Sequence, residues 1–256
     1  MKALKIKKIL VSQPKPAGDK SPYFDIEKKY GIEIEFKPLI KVEGLSLQEF
    51  RAQRVEVKDY TAIVFTARVA IDHFFRLCEE MRYTVPDTMK YFCVSEKIAS
   101  YLQKYIQYRK RKVFFPAVET NKVEELLPQI KRHADEKYLV AVSDVNKDTL
   151  IPLLEENKIT CARAAFYKTV SSDIAQGKPF EYDMVTFFSP EGINSLKKNY
   201  PDFEQGEVVI AALGAKTAKA VEDAGWRLDI SAPNPQTPSI TAAIDLFFKE
   251  NKVNKK

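Results

Sequence analysis

The chain has 256 residues, 45% of them apolar, which suits either one large core or two small ones. Its net charge of +6 is concentrated at Lys2, Lys5, Lys7 and Lys8, in Arg109 to Lys112 and in the lysines from Lys249 onward. That leaves the body slightly acidic, a pattern of solvated ends and loops that argues against nucleic-acid binding.

In chain order, β-branched and aromatic runs alternate with stretches of helical period. Strands are predicted at 9–12, 32–36 and 62–65, a helix at 69–81, a strand at 91–94, a helix at 96–105, a strand at 113–115 and a helix at 122–134. A strand at 138–142, a helix at 149–157 and strands at 162–167 and 184–188 follow. The last part reads as a helix at 192–199, a strand at 208–213, a helix at 216–224, a strand at 227–230 and a helix at 239–249. This alternation predicts parallel sheets covered by helices on both faces.

An internal repeat points to two copies of one fold. Asp59 to Ile71 aligns with Glu181 to Ile193 at an offset of 122 residues, and Cys93 to Ala99 aligns with Ala212 to Ala218 at an offset of 119.

The inventory of reactive side chains excludes several chemistries. His73 and His133 both fall in predicted helices, there is no Cys-x-x-Cys pair and no clustered carboxylates, so neither a metal site nor a Ser-His-Asp triad is expected. No spaced-glycine dinucleotide fingerprint occurs, and Gly214-Ala215-Lys216-Thr217 lacks the upstream glycine of a phosphate loop. Cys78, Cys93 and Cys161 are odd in number and set among apolar residues, which fits a reducing compartment. The apolar run Ile9 to Val11 is too short for a signal peptide, and no stretch approaches the ~20 apolar residues of a membrane span; a cytoplasmic protein is expected.

What remains is a set of small and hydroxyl residues at strand ends before helices: Thr66, Ser95, Ser189 and Gly214. Free backbone N–H groups and the helix dipole favour anions there, and open parallel sheets bind ligands at that edge. Taken singly, each hydroxyl is also an ordinary helix N-cap.

The order of segments resembles the uroporphyrinogen-III synthase family. The residues that carry the resemblance are Phe65-Thr66-Ala67, Ala165-Phe166-Tyr167-Lys168-Thr169, Phe187-Phe188-Ser189-Pro190-Glu191-Gly192-Ile193, Leu213-Gly214-Ala215-Lys216-Thr217-Ala218 and Ala224-Gly225-Trp226. The resemblance implies two similar doubly wound parallel-sheet α/β lobes joined by two extended linkers. The first lobe would be discontinuous, 1–37 plus 175–256, the second would be 45–165, and the linkers 38–44 and 166–174.

It also implies a cofactor-free and metal-free hydro-lyase, a monomer, that binds hydroxymethylbilane in the cleft between lobes and closes it with inversion of the last pyrrole ring and loss of water. On that resemblance Tyr167 is the catalytic residue, a phenol protonated at neutral pH that donates to the departing hydroxyl. Thr66, Arg68, Ser95, Ser189, Gly192, Gly214, Lys216 and Thr217 would bind the substrate. Two residues depart from the family pattern: Ile98 stands at the counterpart of Thr217, and Arg68 at a position often small or polar. Three alternatives stay open. The chain is a tetrapyrrole-binding or regulatory protein with lapsed catalysis, Tyr167 only packs the lobe junction, or Tyr108 to Lys112 bind a nucleic acid or partner.

Overall fold

A computed structural model describes residues 4–18, 20–117, 122–145 and 149–253. Its elements in chain order are β1 Lys8–Val11, α1 Pro22–Tyr30, β2 Glu33–Phe36, β3 Ile40–Gly44, α2 Leu47–Ala52, β4 Ala62–Phe65, α3 Arg68–Glu80, β5 Lys90–Cys93, α4 Glu96–Tyr101, β6 Val113–Phe114 and α5 Leu127–Lys131. These continue with β7 Tyr138–Ser143, α6 Leu150–Glu156, β8 Cys161–Ser171, β9 Met184–Phe187, α7 Pro190–Asn199, β10 Val209–Leu213, α8 Ala215–Asp223, β11 Ile230–Ala232 and α9 Ile240–Glu250.

The chain divides into two compact units, one of residues 1–41 with 170–256 and one of residues 42–169. The first unit's sheet has the order β11-β10-β9-β1-β2, with every pair parallel. The second sheet has the order β3-β8-β7-β4-β5-β6, parallel from β8 to β6. The segments read as linkers are extended, and they largely form β3 and the end of β8.

Both sheets are packed on two faces, as the continuous apolar runs require. In the first unit Ile9, Val11, Met184, Val209 and Ala211 face one core, while Leu10, Val185, Phe187, Ile210 and Ala212 face the other. In the second, Ile63, Phe65, Tyr91, Cys93, Leu139 and Ala141 alternate in the same way with Ala62, Val64, Phe92, Tyr138 and Val140. This two-residue alternation fixes register, since a slip of one residue would exchange the two faces.

The internal repeat is structural. The 122-residue offset carries the limits of β4 onto those of β9 and the start of α3 onto that of α7, and the 119-residue offset carries the start of α4 onto that of α8. Strand for strand, β4, β5, β6, β7 and β8 correspond to β9, β10, β11, β1 and β2. The first unit is therefore a cyclic permutation of the second. In both, the strand order reverses at one central pair, β9–β1 or β4–β7.

Several predicted elements change shape. The predicted helix at 122–134 is a short 3₁₀ turn, Val123–Leu126, followed by α5, with Pro128 placed in the first turn of α5, where its missing N–H is harmless. The helix predicted at 96–105 leaves α geometry after Tyr101 and tightens into a 3₁₀ turn, Leu102–Lys104. The strand predicted at 227–230 begins only at Ile230, because Arg227 and Asp229 pair with each other at 2.6 Å and bind Gln205 and the Ile210 N–H.

Candidate functional site

In a doubly wound sheet, ligands bind beyond the carboxyl ends of the strands, next to the pair where strand order reverses. The register places Thr66, Ser95 and Tyr167 at that edge in the second unit. Ala141 pairs with Phe65, Phe65 pairs with Cys93, and Tyr167 pairs with Ser143 across an irregularity that follows Val142.

Thr66 sits one residue before the N-cap of α3, which is Ala67, in extended backbone (φ −150°, ψ 152°). Alanine has no side-chain oxygen to accept from the first turn, so the amides at the start of α3 have no cap from this position. Ser95 is the N-cap of α4 and is 4% exposed, yet its hydroxyl makes no capping hydrogen bond. Arg68, the first residue of α3, is exposed, and its guanidinium lies 5.4 Å above the ring of Tyr101.

The Tyr101 hydroxyl is itself tied down, donating to both carboxylate oxygens of Asp72 at 2.9 and 3.0 Å. Lys104 and the Tyr105 hydroxyl bind the same carboxylate. Burial raises the pKa of Asp72, but hydrogen bonds from Tyr105, Lys104 and Tyr101 outweigh it and hold the carboxyl below its ordinary value.

Tyr167 is 9% exposed, and its ring is tilted by 30° at 6.4 Å from that of His73. Burial pushes the phenol's pKa up, so it carries its proton throughout the neutral range. Burial and then the Arg76 charge push His73 down, which leaves a neutral imidazole next to it. Gly44 makes this packing possible: a side chain there would collide with His73 and Arg76.

In the first unit, Ser189 caps α7, its hydroxyl accepting from the Gly192 N–H at 3.4 Å. Gly192 is buried behind the edge, and its N–H also reaches the Ser189 carbonyl at 3.1 Å. Gly214 is the N-cap of α8, with φ 88° and ψ 145°, a backbone that only glycine enters without strain. Lys216 is exposed in the next turn, and Thr217 is buried at 3%. The nine sequence-derived residues thus fall on two edges, four on the second unit and five on the first.

The reversal points add residues that the sequence reading passed over. Ser12 follows β1 and donates its N–H to the Thr186 carbonyl at 3.2 Å, and Asp144 follows β7 and accepts the Thr169 N–H at 3.1 Å. Ser12 had a visible signal, since it follows an apolar strand as Ser95 does. Asp144 had none short of the topology. Among the described residues, no three His, Cys, Asp or Glu side chains converge as a metal site.

Fold and edges together define a duplicated, doubly wound α/β protein whose strand ends carry amides, hydroxyls, a phenol and two exposed cations. The family described as Uroporphyrinogen-III synthase HemD matches residues 25–242. The chain belongs to the uroporphyrinogen-III synthase family. No curated protein sequence matches it. Among solved structures, the fold is similar to uroporphyrinogen-III synthetase from Helicobacter pylori, at 17% identity over 96% of this chain and 100% of that one, with a TM-score of 0.57. Another match is a mutant uroporphyrinogen III synthase from Thermus thermophilus, at 15% identity over 96% and 98% of the chains, with a TM-score of 0.47.

Proposed function

We propose that the protein is an active uroporphyrinogen-III synthase, a cytoplasmic monomer that converts hydroxymethylbilane to uroporphyrinogen III and water. The observation that carries this reading is the carboxyl edge of the second unit, where a buried, protonated phenol at Tyr167 shares one sheet end with Thr66, Ser95 and Arg68.

The substrate has eight carboxylates on a flexible chain of four pyrroles, and the residues present suit that load. Arg68 and Lys216 supply charge, and the starts of α3, α4 and α8 supply backbone donors that no side chain caps. Ser189, Gly214 and Thr217 line the other edge; Gly192 contributes the turn behind it. The Tyr167 phenol donates to the hydroxyl that leaves as water, and the terminal carbon becomes an azafulvene. The substituted carbon of the last ring attacks it, and the spiro intermediate fragments and recloses with that ring inverted. Left alone the bilane closes without inversion, so the protein's main contribution is to hold the chain in the productive pose.

A binding or regulatory protein with lapsed catalysis is the second reading. Ile98 favours it, since it occupies the third helical position of α4 where α8 has Thr217, and so lacks the hydroxyl. One measurement separates the two: the isomer ratio of uroporphyrinogen formed from fresh hydroxymethylbilane with and without the protein, alongside product binding. Type III product in excess supports the enzyme. Binding with only type I product supports the second reading.

A further inference from the structure

The opposite, amino-terminal edge of the second unit's sheet has a cavity of about 540 Å³. Lys90, Arg109, Arg111 and Lys112 line it, against only two acids, Asp87 and Glu136. Glu136 is engaged by Lys90 at 2.6 Å. Asp87 is 90% exposed and reaches Arg109 and Lys112 only at 3.9 and 3.7 Å, long, solvated contacts that offset little of their charge.

The first unit shows that this charge is not demanded by the fold. At the corresponding edge, the Asp183 carboxylate accepts the N–H groups of Lys7 and Lys8 at 2.7 and 2.9 Å, and Asp229 accepts that of Ile210 at 2.9 Å. The 122-residue offset puts Thr61 where Asp183 stands, and the Thr61 hydroxyl accepts the Lys137 N–H at 2.9 Å, the same backbone service without the charge. Strand register puts Val113 at the counterpart of Asp229. The first unit's edge has carboxylates at these two positions, whereas the second has Thr61 and Val113 there and four cations around a depression.

We infer that this cavity binds a small, multiply charged phosphate anion, of the class of pyrophosphate and organic di- and triphosphates. The two arginine forks match phosphate oxygens, and Lys90 and Lys112 stand beside them in the same open depression. A nucleic acid would call for a longer run of cations along one face than these four supply. The site lies at the other end of the strands from Thr66, Ser95 and Tyr167.

Titration calorimetry with inorganic pyrophosphate at constant ionic strength tests it, with sodium sulfate and a short single-stranded oligonucleotide as controls. The wild-type chain is expected to bind pyrophosphate saturably at one site. The double variant Arg109→Ala/Arg111→Ala should weaken binding about tenfold or more. Thr61→Asp should weaken it too, and since it installs the carboxylate that the first unit already uses, circular dichroism should show an unchanged fold. No saturable heat, equal affinity in both variants, or binding of the oligonucleotide alone with steep salt dependence would each overturn the assignment.

Discussion

The ring of Tyr167 rests against that of His73, 6.4 Å between centres, and this contact ties the proposed proton donor to α3. Burial raises its pKa, which keeps Tyr167 a phenol and not a phenolate, the form the proposed role requires. Tyr167→Phe keeps the packing and removes only the oxygen, so type III product formation should fall ~10²-fold or more while the melting temperature barely moves. Tyr167→Ala should also destabilise the fold, by ~3 kcal/mol or more. A Phe variant with wild-type rate and isomer ratio would end the donor assignment.

Arg68 is seated on Tyr101, and Tyr101 is anchored to Asp72. Arg68→Ala should raise KM for the bilane more than it lowers kcat, the sign of a lost carboxylate contact. Tyr101→Ala should reproduce much of that KM effect by removing the seat. Tyr101→Phe keeps the ring and loses only the bond to Asp72, so its cost should appear in stability, about 1 kcal/mol, and scarcely in KM. Initial rates with a melting curve on each variant distinguish these patterns.

Glu35 gives the first unit an acid-sensitive clasp. Burial raises its pKa, but Lys37 at 2.8 Å, the Tyr182 hydroxyl at 2.8 Å and Lys8 at 3.0 Å outweigh that and bring it down to about 2. A carboxyl depressed in the folded state stabilises fully above the ordinary carboxylate range, and this contribution is lost as pH falls toward about 2. Unfolding free energy of the wild type should therefore fall between about pH 4 and pH 2 more steeply than that of Glu35→Gln. Parallel slopes in the two proteins would remove Glu35 from the account.

Two glycines of the candidate edge should respond in opposite ways. Gly214→Ala forces a Cβ into a positive-φ backbone and should cost ~1–3 kcal/mol although nothing lies within 4 Å to clash with. At Gly192 a Cβ would meet Phe187 and Leu39 at 3.5 and 3.9 Å, ordinary contact inside a helix. Gly192→Ala should leave stability unchanged or raise it by up to ~1 kcal/mol. Chemical denaturation of both variants checks the contrast.

Strands buried on both faces were the most legible elements, because a run such as Ala62 to Phe65 or Met184 to Phe187 has no other use in a chain of this composition. The start of the chain was less so. Helix α1 begins at Pro22 and ends at a left-handed Gly31, and α2 opens with a capping box from Ser46 and Glu49, signals present in the sequence but outweighed by weak apolar periodicity. Strand β3 escaped notice because its residues are half-buried or exposed, so hydrophobicity does not mark it. At the site, Thr66, Ser95 and Ser189 could be placed at strand ends from local pattern alone. The seating of Arg68 on Tyr101, or of Tyr167 on His73, could not, since each joins elements far apart in sequence through geometry that only register supplies.

The cyclic permutation between the two units also sets an order of assembly. The second sheet runs from β3 to β8 in one contiguous stretch and can form as soon as β8 has been synthesised. Strands β1 and β2 are made before it but must wait: the partner of β1 on its other side, β9, lies more than 170 residues downstream, and α9, which shares a core with Ile9 and Val11, begins at Ile240. During synthesis β1 and β2 are therefore buried after strands made later than they are, and they stay open to chaperones, or to a neighbouring nascent chain, until α9 has emerged.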